Sequence, residues 1–175
     1  MLKAWSKLLN TECKVIRLGD DYVYPIFRNG STSLFQSQEQ VYVDDEIDTC
    51  GHINILIRDP KLRFVSGINE YARRNKMTVE QVYRKAKNGD LVDRHFAPQA
   101  MWLLHLYKYY KGDVTLRHFH DIGKFTKEHR HVFPGDKIYL PALEEFVEVD
   151  YKLLYLIDRH LSLGDIIKEI RYALS

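Results

Sequence analysis

Two short stretches bring cationic and hydroxyl side chains together in patterns that suit an anion. In the first, the apolar run Tyr22–Phe27 is followed by Arg28-Asn29-Gly30-Ser31-Thr32-Ser33 and then by a segment, from Leu34, able to form a helix. Gly30 permits a tight turn. Ser31, Thr32 and Ser33 offer hydroxyls and successive backbone N–H groups at a helix start, where oriented amides attract phosphate or sulfate. Arg28 adds a full charge. The spacing is not that of a Walker A loop, which requires G-x-x-x-x-G-K-[ST], and an N-capped helix would use the same hydroxyls. In the second stretch, the β-branched run Ile53–Ile57 stops at Arg58-Asp59-Pro60 and an amphipathic segment begins at once. Pro60 fits the first turn of a helix, where its missing N–H has no partner to lose. Arg58 then stands at the carboxyl end of a strand and Ser66 about two turns along the next helix. In α/β sheets that edge is where ligands bind, and an arginine with a hydroxyl suits a phosphate.

Groups able to move a proton lie nearby in the chain. His95, in Asp93-Arg94-His95-Phe96-Ala97-Pro98-Gln99, is of the residue type whose unperturbed pKa lies near neutral pH and can serve as a general base, although it could simply cap the helix that Pro98 opens. His52, ahead of the Ile53–Ile57 run, and the acidic loop Asp44-Asp45-Glu46 are rivals for that role. Two other patterns imitate known motifs. His120-Asp121, with His118, His129 and His131 near it, resembles the metal-binding pair of HD-type phosphohydrolases, but Asp113–Phe119 reads as a strand where that site needs helices. Ala72–Arg84 resembles a helix-turn-helix with Arg84, Lys85 and Lys87 on its second helix, yet Lys76 stands where the turn glycine is expected.

The elements that must position these groups follow from periodicity. Lys14–Leu18 and Tyr22–Phe27 read as strands around a Gly19-Asp20-Asp21 turn. A helix over residues 31–40 leads to a short strand at 41–43, and 53–57 is a buried strand. Helical spacing continues from Leu62 to Arg74. Thr78 caps another helix running to about Lys87 and closed by Asn88-Gly89. Pro98 opens a helix through Tyr107, Val114–Phe119 is a strand, and Tyr151–His160 and Ser162–Ala173 read as terminal helices, with Ser162 and Asp165 as a capping pair. Strands alternating with helices predict a three-layer α/β domain whose sheet is mainly parallel.

With 175 residues the chain fits one domain with a sizeable core. Its net charge of +2 is too small for general nucleic-acid binding but allows local basic patches around an anion. The two cysteines, Cys13 and Cys50, form no pairing pattern, so a reduced, cytoplasmic setting is expected. No apolar run is long enough to span a membrane and the first residues lack the apolar core of a signal peptide.

Taken together, the two anion stretches resemble the nucleotide-binding halves of the sulfotransferase family, in its carbohydrate-modifying branch. Phe27–Ser33 corresponds to the family's Pro-Lys-x-[Gly/Ala]-[Ser/Thr]-[Ser/Thr] loop, and Arg58–Ser66 matches its Arg-[Asp/Asn]-Pro-x-x-Arg-x-x-Ser element without a gap. Asp93–Gln99 resembles the Asp-x-His-[Phe/Trp]-x-Pro-Gln segment, and Asp113–Ile122 occupies the place of a strand ending in an acidic run. The resemblance covers residues 15 to 125, in the family's order. Arg28 stands where the family has lysine, which keeps the charge and changes the contact geometry.

The resemblance implies a P-loop-NTPase-like sulfotransferase architecture in a single, reduced domain, with nucleotide-binding elements at about 15–125 and a helical part at about 148–175. It implies transfer of a sulfuryl group from 3′-phosphoadenosine-5′-phosphosulfate to a hydroxyl of a carbohydrate, without a metal. The co-substrate would be held by Arg28, Asn29, Gly30, Ser31, Thr32, Ser33, Arg58 and Ser66, with Arg28 and His95 acting in catalysis. A glycan acceptor is the expected partner; nucleic acid is not, and a homo-oligomer fits a chain short enough that another subunit could complete the acceptor site.

Overall fold

The computed structural model describes residue 5 and residues 7–127 and 135–175. Six strands form one sheet in the order β3-β1-β2-β4-β5-β6, with β1 at Lys14–Leu18, β2 at Asp21–Val23, β3 at Gln40–Val43, β4 at Ile53–Ile57, β5 at Asp113–His118 and β6 at His160–Ser162. β4 is buried at every position, as expected of a strand covered on both faces. Ile53, Ile55 and Ile57 face one core with Val114, Leu116 and the inner sides of α4 (Gln99–Tyr107) and α6 (Leu163–Leu174). Leu56 faces the other side with Ile16, Val23, Ile122 and Leu34 of α1 (Ser31–Gln36). A third cluster joins α2 (Pro60–Arg74) and α3 (Val79–Lys87) to Phe96 and to Phe146 of α5 (Glu144–Leu154).

The α/β class holds, but the sheet is mixed rather than mainly parallel. β2, β4 and β5 run parallel, while the β1–β2, β1–β3 and β5–β6 ladders are antiparallel. From β2 the chain leaves through α1 toward β3 at one edge. From β4 it leaves through α2, α3 and α4 toward β5 on the opposite side. The connections therefore diverge between β2 and β4, and the carboxyl ends of those strands border the crevice such a divergence creates.

Three elements differ from the sequence reading for local reasons. β2 ends at Val23 instead of Phe27: Tyr24 still donates to the Asn54 carbonyl at 3.0 Å, but Pro25 has no N–H to continue the ladder. α1 stops at Gln36 because Glu39 N and Gln40 are drawn onto Arg17 of β1. The expected helix over 151–160 begins earlier, at Glu144, and breaks after Leu154. Asp158 then turns at φ 63 and donates to Leu116 O at 2.8 Å, and residues 160–162 pair with β5. An unpaired β5 edge claims the segment over its helical pattern. Among the described residues no helix is long and apolar enough to cross a membrane.

Candidate functional site

The loop after β2 is built by burial. Asn29 is wholly buried, and its Nδ2 donates to Leu56 O at 2.8 Å and to Gln99 Oε1 at 2.6 Å. Arg28, at φ 67, and Gly30, at φ 78, both take left-handed backbone. The left-handed φ favours glycine at position 30, where a Cβ would also displace the end of the Ile122 side chain, 2.1 Å away. The same conformation at Arg28 costs about 1–2 kcal/mol and is held by the surrounding contacts. Leu34 N donates to Gly30 O at 3.0 Å, and α1 begins without any side-chain cap. The hydroxyls of residues 31–33 are thus not used as N-caps.

The loop after β4 meets it. Asp59 caps α2 by accepting from Leu62 N at 2.9 Å, with Pro60 in the first turn as its sequence predicts. Gln99 accepts from Arg58 N at 3.0 Å and donates to Arg58 O at 3.0 Å, a two-point grip on the backbone of one residue. The Arg58 guanidinium donates to Arg28 O at 2.9 Å and lies 5.0 Å from the Phe119 ring centroid. Arg28 Nε donates to Ser66 Oγ at 2.9 Å. Ser66, expected to share a ligand with Arg58, is fully buried beneath Arg28 instead. Its contribution is to aim that guanidinium.

Two residues that sequence reasoning passed over hold this arrangement together. Arg63, 2% exposed, donates to Phe27 O at 3.1 Å, to Arg94 O at 3.4 Å and to Ala97 O. One buried guanidinium so ties the first loop to the Asp93–Gln99 segment. Gln99 ties that segment to Asn29 and Arg58 and donates its own N–H to Asp150 Oδ2 at 2.7 Å, while Ala100 N donates to Oδ1 at 2.8 Å. Asp150, on α5, therefore caps α4 across space. Burial lowers Arg63 to about 10, and burial raises Asp150 to about 6 against the opposing pull of those hydrogen bonds and of Arg63. Both residues stood inside or beside quoted motifs: Arg63 is the second arginine of the Arg-Asp-Pro element and Gln99 closes the His-Phe-Ala-Pro-Gln run.

His95 sits against this scaffold. Its Nδ1 is 2.5 Å from Asp93 Oδ1, which also accepts from His95 N at 2.8 Å. Burial would raise Asp93, but the hydrogen bonds from His95 win and hold its carboxyl below the usual range. An ionised carboxylate only accepts, so Nδ1 carries the proton and a neutral His95 keeps its lone pair on Nε2. Its ring lies 5.3 Å from Phe27. A Cβ on Gly67 would reach 2.0 Å from His95 O, so the glycine lets α2 pack flush on this turn.

The rival bases lie apart. His52 precedes β4 and is at the amino end of the sheet, opposite Arg58, where it bonds Thr115 Oγ1 at 2.7 Å and stacks on His160 at 4.6 Å. Strand direction alone puts this rival base at the opposite end of β4 from Arg58. Asp44 and Glu46 stand on the carboxyl edge but beyond β1, and both are engaged in the backbone: Asp44 Oδ1 accepts from Cys13 N and Glu46 Oε2 from Val43 N, each at 2.9 Å. His120 and Asp121 lie in a short 3-10 turn with His118 stacked on His120 at 4.3 Å. Among the described residues no three His, Cys, Asp or Glu side chains gather as a metal would need; His129 and His131 lie outside the described residues. Arg84, Lys85 and Lys87 are exposed on α3, whose Val79, Val82 and Ala86 are buried.

The field at the carboxyl edge is positive. Burial lowers Arg28 and Arg58 below the ordinary arginine range, and for Arg58 the neighbouring Arg28 adds to the effect. Lys137 is lowered by burial and by both arginines. Glu70, one turn beyond Ser66, moderates Arg28 but is bound to Arg73 and Arg74 at 2.7 and 2.6 Å. On the far side of Phe27 a cleft of about 310 Å³ is lined by Tyr24, Phe35, Trp102, Arg94 and His105. Comparison with protein-family models, curated proteins and solved structures finds no match for this chain. Fold and site define an α/β domain with converging cations at the divergence of its sheet.

Proposed function

We propose that the protein is a sulfotransferase that moves a sulfuryl group from 3′-phosphoadenosine-5′-phosphosulfate to a hydroxyl of a carbohydrate. The observation that carries the reading is the convergence of three distant segments: Arg28 on Ser66, Arg58 on the Arg28 carbonyl, and Gln99 bridging Asn29 to Arg58. These are three of the four segments through which the sequence resembles that family, and their links explain why residues so far apart in the chain belong together.

In this reading Arg58 holds the 3′-phosphate. Arg28, aimed by Ser66, and the amides of residues 30–33 neutralise charge on the transferring group and the leaving phosphate. The acceptor oxygen attacks sulfur, the bond from sulfur to the phosphate oxygen breaks, and 3′-phosphoadenosine-5′-phosphate departs. The acceptor proton passes to His95 Nε2, and Asp93 stabilises the imidazolium that results. Such transfers resemble phosphoryl transfer in needing position and electrostatics more than covalent chemistry. The cleft of about 310 Å³ lies on the same sheet edge as Arg28, and Tyr24, Phe27, Phe35 and Trp102 give it the aromatic lining on which a sugar ring can pack.

Calorimetric titration with 3′-phosphoadenosine-5′-phosphate tests the donor site. Arg58→Ala is expected to weaken that ligand by about 2–4 kcal/mol, the scale of a lost charge-assisted contact. Adenosine-5′-phosphosulfate, which lacks the 3′-phosphate, should be affected far less. Equal weakening of the two ligands would refute the assignment.

A further inference from the structure

Five large hydrophobic side chains are notably exposed among the described residues, and three of them, Leu62, Ile138 and Tyr139, at 53%, 45% and 70%, lie on α2 or on the stretch fastened to it. Their placement is fixed by α2. Leu62, Ser66 and Asn69 fall at i, i+4 and i+7, one stripe of that helix. Ser66 carries Arg28. Asn69 grips the backbone of residue 138 at two points, its Oδ1 accepting from Ile138 N at 2.9 Å and its Nδ2 donating to Ile138 O at 2.8 Å. Asn69 is itself 3% exposed and also donates to Val65 O at 2.9 Å. A stretch without regular secondary structure is thereby fastened along the helix face that supports the arginines. Lys137 and Tyr139 flank the gripped residue, Lys137 close enough to Arg28 and Arg58 for their charges to act on it and Tyr139 close enough to act on Arg58.

A polyanion alone would need no exposed aromatic ring here, and an apolar ligand would need no cations. A phosphorylated nucleoside needs both. We propose that Lys137 and Tyr139 form a nucleoside-binding strap, in which Lys137 takes a phosphate oxygen and the Tyr139 ring, with Leu62 and Ile138 around it, stacks on the base. This rests on the reading of the donor as a nucleotide, and adds to it a specificity-determining segment outside the stretches that resemble the family. Stacking is tolerant of base identity, because every base has a π-face, so the strap fixes the class of ligand and leaves the choice of base to other contacts.

Titration of the full chain with 3′-phosphoadenosine-5′-phosphate, with adenosine triphosphate and with inorganic pyrophosphate as the base-free probe tests it. Tyr139→Ala should weaken the nucleotides about tenfold to a hundredfold, the range of a lost base–aromatic stack, and leave pyrophosphate unchanged. Tyr139→Phe should bind as the parent does, and Lys137→Met should weaken all three ligands. Tyr139 is exposed, so its loss does not endanger folding. If 3′-phosphoadenosine-5′-phosphate fails to bind but adenosine triphosphate binds with the same dependence on Tyr139, the sulfotransferase reading falls and the strap stands. If 3′-phosphoadenosine-5′-phosphate binds equally to parent, Tyr139→Ala and Lys137→Met, the strap is overturned and the donor reading survives. Binding of neither nucleotide overturns both.

Discussion

The two ends of the parallel strands each carry a cluster of polar and titratable groups, and they are built in opposite ways. At the carboxyl end, Arg28, Arg58 and His95 are supported by side chains with almost no exposed surface: Asn29, Arg63, Ser66, Gln99 and Asp150. At the amino end, His52, Thr115, His160 and Asp113 touch one another at comparable distances. There the His160 and Asp113 side chains are 66% and 57% exposed, and of the four residues only Thr115 is buried. Hydrogen-bond lengths do not separate the clusters. What separates them is desolvated polar support, which costs free energy unless every partner is in place and so marks the end where side-chain geometry is held.

The comparison breaks most sharply over the histidines. His95→Ala should lower the sulfuryl-transfer rate about 10²–10⁴-fold with donor binding nearly unchanged, and His52→Ala should leave the rate as it is. Rates for both variants with donor near saturation decide it; loss of activity in His52→Ala alone would move the base to the amino end.

Support itself is tested by Arg63→Met, which strips a buried cation from three carbonyls and leaves Asp150 with less compensation. A loss of about 3–5 kcal/mol is expected, read from the shift of a urea unfolding midpoint. A loss below about 1 kcal/mol would mean that the network merely decorates the crevice.

Asp150 gives a pH signature of about 3 kcal/mol, from moving a carboxyl from its ordinary 3.8 to about 6 at 1.36 kcal/mol for each tenfold change in proton affinity. With the folded value above the unfolded one, its contribution is complete below about 3.8 and is lost as pH rises through about 6. Glu70 has the opposite sign. Burial pushes it up, but hydrogen bonds from Arg73 and Arg74 bring it down to about 2, so its contribution is present above 4.5 and lost as pH falls toward 2. The two contributions together are largest between about pH 3.8 and 4.5, and Asp150→Asn should remove the loss that Asp150 causes above that window. Unfolding curves across pH 3–8 measure it. The smallest effect is expected at the amino end, where His160→Ala should change stability by no more than about 0.5 kcal/mol, as for other exposed positions.

Much of the scaffold was legible in the chain. The buried run Ile53–Ile57, Pro60 in a first turn, the Thr78 cap with its Gln81 partner and the Ser162–Asp165 pair all form as their local chemistry dictates. The misreadings fall at 24–27, 37–40 and 155–162, where a strand partner or a proline decides and where the deciding residue, such as Asn54, Arg17 or Leu116, is distant in sequence. The candidate site divides in the same manner. Arg28, Gly30 and Arg58 announce themselves by type and spacing, because charge and left-handed backbone are properties of single residues. That Ser66 serves Arg28, that Arg63 and Gln99 bind the loops together, and that Asn69 fastens Ile138 are facts about pairs 30 to 70 positions apart. The sequence by itself determined which side chains could meet an anion and which strands they would follow, since these depend on local periodicity and on chemistry at each position. Which of them meet depends on partners distant in the chain: the donors of Asn29, Arg63 and Gln99 find their acceptors only when the whole chain has closed around them.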